Sequence, residues 1–429
     1  MKNYPDARNS ITTRKNTIFV LTALMLIATF CFIGCNAKKS VEKKKEISTE
    51  KKEEIEKIIA KHRDENMELS VNILKNSNEP LNNIIVSPLA VQMAMGLLVN
   101  GSKNKTQKRI IDTIGMESAV LNDYLKTYIE EAPKDVRGNI NFVNAFWLNA
   151  INTGLDLNSV YKDRIQEYLG AQIKQEPFSQ GCEVVMNNWI KEETNGMVNS
   201  VVRQVNSTDW LYMMNIATFD MDWEQSYDLS DIKTGSFNND KGDVVEVETM
   251  TSVESLYIED NDTTGFIKNY YIPRYKFIGI LPDKENKFDD YISKLDSRKL
   301  IKLLEGAEKK NVKATIPAFE SIKTVNIRRV LSSIGLADIF AKDADYSGML
   351  KNGMPMSLTK IYHTSKIRVG KKSSEAAIVT NVASKKTTEK KYSKEVVLDR
   401  PFIYIIFDTE ESIPIFIGTI KNITPLVEN

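Results

Sequence analysis

Apolar and polar positions alternate differently in successive stretches of this chain, and each stretch predicts a different element. An uncharged, mostly apolar run extends from Thr17 to Gly34, behind the basic residues Arg8, Arg14 and Lys15, and ends at Cys35. From Asn36 to about Glu54 the chain is rich in Lys and Glu and nearly free of apolar residues, a composition that stays solvated. Apolar residues then return at helical spacing, at Ile55, Ile58, Ile59, Met67, Leu69, Val71 and Leu74, and predict that a folded domain opens there with a helix. Much later, the segment from Lys371 to Lys391 reads with period two. Ser374, Ala376, Ile378, Thr380, Val382 and Ser384 share one uncharged face, while Glu375, Asn381 and Lys385 fall on the other. Beyond them Lys385, Lys386, Thr387, Thr388, Glu389, Lys390 and Lys391 form a run that no core could absorb. The segment therefore joins a half that a sheet could bury to a half open to proteases. An ordinary edge strand followed by a loop has the same pattern, so alternation alone leaves both readings open.

Charge narrows the function little. Against 58 Lys and Arg stand 57 Asp and Glu, so nothing favours nucleic acid or another polyanionic partner. With 429 residues, 42% of them apolar, the chain can form one large domain or two medium ones, and no internal repeat or second linker is visible. The N-terminus is more informative. A basic flank, an apolar run and then Phe32-Ile33-Gly34-Cys35 have the layout of an export signal, and a small residue before a cysteine resembles a bacterial lipoprotein cleavage box, with Phe32 where Leu is usual. The expectation is a signal over residues 1–35, lipidation at Cys35 and a charged tether over residues 36–54 that spaces the domain from a membrane. An uncleaved anchor is the alternative, because the run approaches the roughly 20 residues that span a bilayer. Either way the positive flank stays inside and the folded part goes out. With Cys31 lost and Cys35 lipidated, Cys182 is the cysteine that remains, so the domain cannot rely on disulfides.

The chemistry of catalysis is sparse. His62 and His363 lie in different contexts, and neither His-Glu-x-x-His nor a paired Cys-x-x-Cys occurs, which leaves little material for a His-based triad or a zinc site. Asp343-Ala344-Asp345-Tyr346-Ser347-Gly348 begins like a calcium loop, but its twelfth position is Met354 instead of the bidentate Glu. No glycine-rich phosphate cradle is present. The expectation is no enzyme, no metal and no cofactor; a secreted hydrolase is opposed by the missing constellation.

Motifs along the chain then converge on one family. They begin with Asn83-Ile84-Ile85-Val86-Ser87-Pro88-Leu89-Ala90 running on to Gly101 and Thr106, followed by Asn144-Ala145 and by Asn187, Trp189, Thr194 and Gly196. Next come Asn215, Phe219, Trp223 and Tyr227, and the block Pro317, Phe319, Leu331, Gly335, Asp338, Phe340, Ala344, Asp345, Tyr346, Ser347 and Gly348. His363-Thr364-Ser365-Lys366-Ile367-Arg368-Val369, Asp399-Arg400-Pro401-Phe402 and Phe416-Ile417-Gly418 complete the series. In order and spacing, from about Asn83 to Pro425, the chain resembles a serpin.

That resemblance implies a single α+β domain over residues 55–429, with mixed β-sheets, a large central sheet, about nine helices and an exposed reactive loop. It also implies a serine-type, or cysteine, endopeptidase inhibitor that acts as a suicide substrate: cleavage of the loop frees it to insert into the central sheet and trap the protease covalently. The hinge would be Lys371, Lys372, Ser373, Ser374, Glu375, Ala376, Ala377, Ile378, Val379 and Thr380. The scissile region would span Lys385, Lys386, Thr387, Thr388, Lys390 and Lys391: family spacing from Glu375 points to Thr387-Thr388, and counting back from Pro401 points to Lys390-Lys391. Ser87, Asn215 and His363 would form a buried polar cluster under the central sheet, with Ala90 in place of a second serine. The partners implied are a trypsin-like or lysine-preferring protease, with papain-like cysteine proteases as the other option, and a membrane reached through the lipid; the protein would act as a monomer exported to the cell surface or periplasm of a prokaryote. Two departures point to the alternative, a non-inhibitory surface binding protein of the same fold. Ser373 stands where inhibitory members have Gly, which adopts positive φ more cheaply, and bulky Ile378 and Val379 stand where small residues are usual.

Overall fold

Two apolar runs near the C-terminal end of the sequence become deeply buried strands. In the computed structural model, Phe402–Asp408 (β14) and Ile413–Ile420 (β15) are buried on both faces, as continuous apolar runs require, and pair antiparallel with each other. The structure describes residues 49–151, 155–353, 358, 360–371 and 391–424; side chains are described from Arg63 onward. Residues 1–48, with the signal, the Cys35 lipidation site and most of the tether expected there, and residues 372–390, with most of the hinge and scissile region, lie outside the described residues. The chain divides into a unit ending at Asp64 and a large unit from Glu65 to Asn429. Helix α1, Thr49–Ser77, begins ahead of the apolar stripe at Ile55, so the last residues of the charged stretch are already helical. Both sheets lie in the large unit.

Ser87 shows how local chemistry sets an element. It follows the short strand Ile84–Val86 (β1), and its hydroxyl accepts the Ala90 N–H at 3.2 Å, capping helix α2, Pro88–Gly101. Pro88 occupies the first turn, where its missing N–H costs nothing. Every residue of α2 is buried, as expected of a helix that is apolar all round, and it packs against both the strand Leu211–Met221 (β5) and β15.

Among the described residues there are nine α-helices and two mixed sheets. Nine strands form one sheet, in the order β1-β15-β14-β9-β8-β7-β10-β13, with β6 also paired to β7. Its further members are Ile232–Asn238 (β6), Val244–Glu259 (β7), Thr263–Asn269 (β8), Tyr275–Pro282 (β9), Glu308–Pro317 (β10) and Lys394–Val397 (β13). The second sheet has six strands, in the order β11-β12-β5-β3-β2, with β4 alongside β3. They are Phe319–Asn326 (β11), Ile361–Val369 (β12), Leu211–Met221 (β5), Gly138–Asn149 (β3), Lys134–Asp135 (β2) and Gln172–Glu176 (β4). Ala318 alone separates β10 from β11, so the chain passes there directly from one sheet to the other.

The faces of the six-stranded sheet differ. On one face Met213, Ala217, Phe219 and Met221 of β5 join the main core. On the other, Tyr212, Met214 and Ile216 lie in a second core with Met186, Trp189 and Ile190 of helix α6, Cys182–Glu193, where α3 to α5 are Asn104–Ile114, Ser118–Glu131 and Ser159–Leu169.

Candidate functional site

The middle of the six-stranded sheet contains a change of direction. β11 and β12 are antiparallel, as are β5 and β3, but β12 and β5 run parallel, from the pair Ile361–Met213 to the pair Ile367–Phe219. Parallel pairing is slightly weaker per residue, and the strand-to-strand connection across this seam is long. A segment leaving the C-terminal end of β12 and doubling back would run antiparallel to both neighbours. It would replace one parallel ladder by two antiparallel ones. The segment that leaves β12 is the alternating ribbon that begins at Lys371.

Beneath the seam, a directed chain of hydrogen bonds ties the two strands. His363 on β12 and Asn215 on β5 are register partners, and Asn144 on β3 is in turn the partner of Asn215. His363 Nδ1 lies 2.6 Å from Asn215 Oδ1, Asn215 Nδ2 donates to Asn144 Oδ1 at 2.7 Å, and Asn144 Nδ2 donates to the Leu169 carbonyl at 2.9 Å. On the other side of the ring, Nε2 accepts the Ser87 N–H at 3.3 Å and lies 2.9 Å from Ser365 Oγ. This pattern assigns the proton of the neutral ring to Nδ1. Burial holds the His363 pKa down, to about 3, against the pull of its bond to Asn215. The imidazole is therefore neutral at physiological pH, without a carboxylate partner, and serves as a brace and not as an acid or base. Ser87, Asn215 and His363 are thus brought together; Asn144, Ser365 and the Leu169 carbonyl complete a network that the sequence reasoning did not assemble.

The start of the hinge is held from the main core. The Trp223 indole N–H donates to the Gly370 carbonyl at 2.9 Å. Trp223 stacks on Tyr270 with ring centroids 4.5 Å apart, and the Lys268 ammonium lies 5.2 Å from the Trp223 ring and 4.6 Å from the Tyr227 ring. Lys268 is only 3% exposed and is neutralised by Glu254 at 2.7 Å. Lys371 pairs with Glu248 at 3.6 Å, but both side chains are well exposed and the pair contributes little. At the far end of the segment, Asn311 Nδ2 donates to the Lys391 carbonyl at 3.1 Å. From there β13 pairs in parallel with β10 at the edge of the nine-stranded sheet. Of the hinge and scissile residues named from sequence, Lys371 and Lys391 occupy these anchored ends. Lys372, Ser373, Ser374, Glu375, Ala376, Ala377, Ile378, Val379, Thr380, Lys385, Lys386, Thr387, Thr388 and Lys390 lie outside the described residues.

The loop at Asp343–Gly348 performs a structural task. Asp345 accepts from Ser347 N–H at 3.0 Å and from Asn104 Nδ2 at 2.7 Å, fastening this loop to the start of α3. Among the described residues no group of three or more His, Cys, Asp and Glu side chains is placed to hold a metal ion. Among them, too, no helix is long and apolar enough to cross a membrane.

Comparison with known proteins agrees with this geometry. A family model described as Serpin (serine protease inhibitor) matches residues 64–423. An uncharacterized serpin-like protein of Thermococcus kodakarensis is 26% identical over 352 residues, covering 80% of this chain and 81% of the relative. Tengpin, a thermophilic serpin, is similar in its native state with a TM-score of 0.78 and 28% identity, covering 90% of this chain and 98% of tengpin. Its latent state is similar with a TM-score of 0.73 and 27% identity, covering 90% and 100%.

Proposed function

This chain belongs to the serpin family, and from that membership we propose that it inhibits proteases as a suicide substrate. The observation that carries the reading is the seam: β5 and β12 are parallel neighbours, and the segment whose alternate positions from Ser374 to Ser384 carry no charge follows β12 in the sequence. In this mechanism the protease nucleophile attacks a carbonyl in the lysine-rich half of the segment. The amine leaves with the C-terminal piece, which stays docked through β13, and the upstream piece remains joined to the protease as an acyl ester. The freed ribbon from Ser374 to Ser384 then enters the seam and carries the protease away before water can hydrolyse the ester. The inhibitor is consumed, so the protein is a substrate and not a catalyst.

Two features support insertion energetically. The ribbon would gain ladder hydrogen bonds worth about 0.5–1.5 kcal/mol each, and burying Ile378 and Val382 would add about 1.5–3 kcal/mol apiece. None of the inward positions is charged, and a charge there would cost several kcal/mol. Lys385, Lys386, Lys390 and Lys391 make trypsin-like or lysine-preferring proteases the proposed targets. Export by the N-terminal signal, lipidation at Cys35 and a tether ahead of the domain complete the proposal and place the inhibitor at a membrane surface. Ser373 favours a second reading, non-inhibitory use of the fold, because it makes the turn into the seam costlier than Gly would.

Mixing the chain with a panel of serine and cysteine proteases tests this reading. Inhibition predicts a denaturant-resistant adduct of summed mass, and sequencing its released fragment locates the scissile bond. Cleavage in the loop without any adduct refutes inhibition and favours the second reading.

A further inference from the structure

Asp220 stands on the outward face of β5, one residue beyond the last pair of the seam, Ile367 with Phe219. Its Oδ1 is shielded from water and finds no hydrogen-bond partner among the described residues. The cation that the register places across the seam, Arg368 on β12, is committed elsewhere, with its Nε donating to Glu320 Oε1 on β11 at 2.7 Å. Lys366, next on that face of β12, also goes to Glu320, at 3.1 Å. Asp222 is engaged by Arg137 at 3.1 Å, and the β3 residue paired with Asp220 is the uncharged Asn139. A carboxylate partly stripped of water thus sits where the ribbon must enter. Burial pushes its pKa up to about 6; Arg368 pulls it down, and Asp222 and Glu320 push it up.

Building on the insertion reading, we propose that Asp220 couples the opening of the seam to pH, its ionised carboxylate favouring the parted, hydrated seam and its protonated form the closed one. The direction follows from solvation. Parting β5 from β12 admits water to the orphaned oxygen and returns the carboxyl toward its ordinary value of 3.8. Between that value and about 6, the closed sheet binds a proton that the parted sheet releases, so opening is favoured as pH rises. With full rehydration, the population of the parted seam rises about tenfold between pH of about 5 and about 7.5.

The test uses the full chain and a fluorescein-labelled synthetic peptide with the sequence of residues 374–384, whose annealing into the seam is followed by gel filtration between pH of about 5 and about 8. We expect the wild-type rate to rise up to tenfold across this range relative to the rate of Asp220→Asn, and Asp222→Asn to behave as wild type. A ratio that stays constant with pH overturns the role of Asp220. Where Asp220→Asn does not fold, Asp220→Ser gives the same comparison. If the peptide fails to anneal at any pH and loop cleavage brings no gain in thermal stability, the insertion reading fails instead, and the two failures are distinguishable.

Discussion

Replacing His363 with Ala tests whether the buried brace holds the seam shut. The substitution removes the bond to Asn215 Oδ1 at 2.6 Å, which crosses the seam, and the bonds from Ser365 Oγ and the Ser87 N–H, which do not. Leaving a buried polar group without its partner costs about 1–3 kcal/mol, and a cavity of this class costs about 2–5 kcal/mol. The cavity and the losses at Ser87 and Ser365 weaken the intact and the loop-cleaved molecule alike. The orphaned Asn215 oxygen weakens only the intact one, because insertion has already separated β5 from β12. At about 2.1 cal/mol/K of unfolding entropy per residue, a domain of roughly 360 residues shifts by roughly 1.3 °C per kcal/mol. His363→Ala should therefore lower both melting temperatures by several degrees and widen the gain on cleavage by about 1–4 °C. Differential scanning calorimetry of both forms at one scan rate reads this directly. Equal losses in the two forms would refute the assignment of the His363–Asn215 bond as a brace across the seam.

Two further substitutions probe other parts of the account. Glu411, 13% exposed, lies 4.0 Å from Arg274, which is committed to the fully buried Asp408 at 2.8 Å. Burial and then Asp408 push the Glu411 pKa up to about 7, so its contribution to stability is complete below about 4.5 and is lost as pH rises through about 7. Glu411→Gln should stabilise the fold at a pH of about 8 by up to about 3 kcal/mol and change little near pH 4; urea melts at the two values check this, and an equal effect at both contradicts it. Thr380→Arg places a charge at an inward position of the ribbon and costs several kcal/mol on insertion, so loop cleavage should persist while covalent trapping disappears. Gel analysis of the reaction with a trypsin-like protease shows whether an adduct survives, and an undiminished yield contradicts the insertion route.

Much of the architecture was legible because local chemistry and packing agreed. Asn83 to Ala90 resembles the family's strand-to-helix segment, and the chain forms β1, the Ser87 cap and α2 there. Asn187, Trp189, Thr194 and Gly196 mark the end of α6: Asn187 grips the backbone of Val201 and Val202, and Gly196 takes φ of +77°. Asn215 and His363 came from the family resemblance; both are polar residues in apolar strands, a signal that Asn144 shares and that could have joined it to the cluster. The first helix begins at Thr49 and not at the first apolar position, because Lys and Glu are good helix formers even without a face to bury. The cluster of Tyr128, Arg274 and Asp408 was not legible. It joins α4, the approach to β9 and the end of β14, and Asp408 opens a polar stretch that reads as an ordinary turn. Lys268 was hidden in the same way, since only the fold shows that its strand position is covered by Trp223 and Tyr227.

The most direct measurement is the melting temperature of the molecule before and after one cut between Lys385 and Lys391. Insertion of the freed ribbon between β5 and β12 predicts a large upward shift, together with resistance of residues 374–384 to further proteolysis. A cleaved molecule that melts at or below the temperature of the intact one contradicts the account.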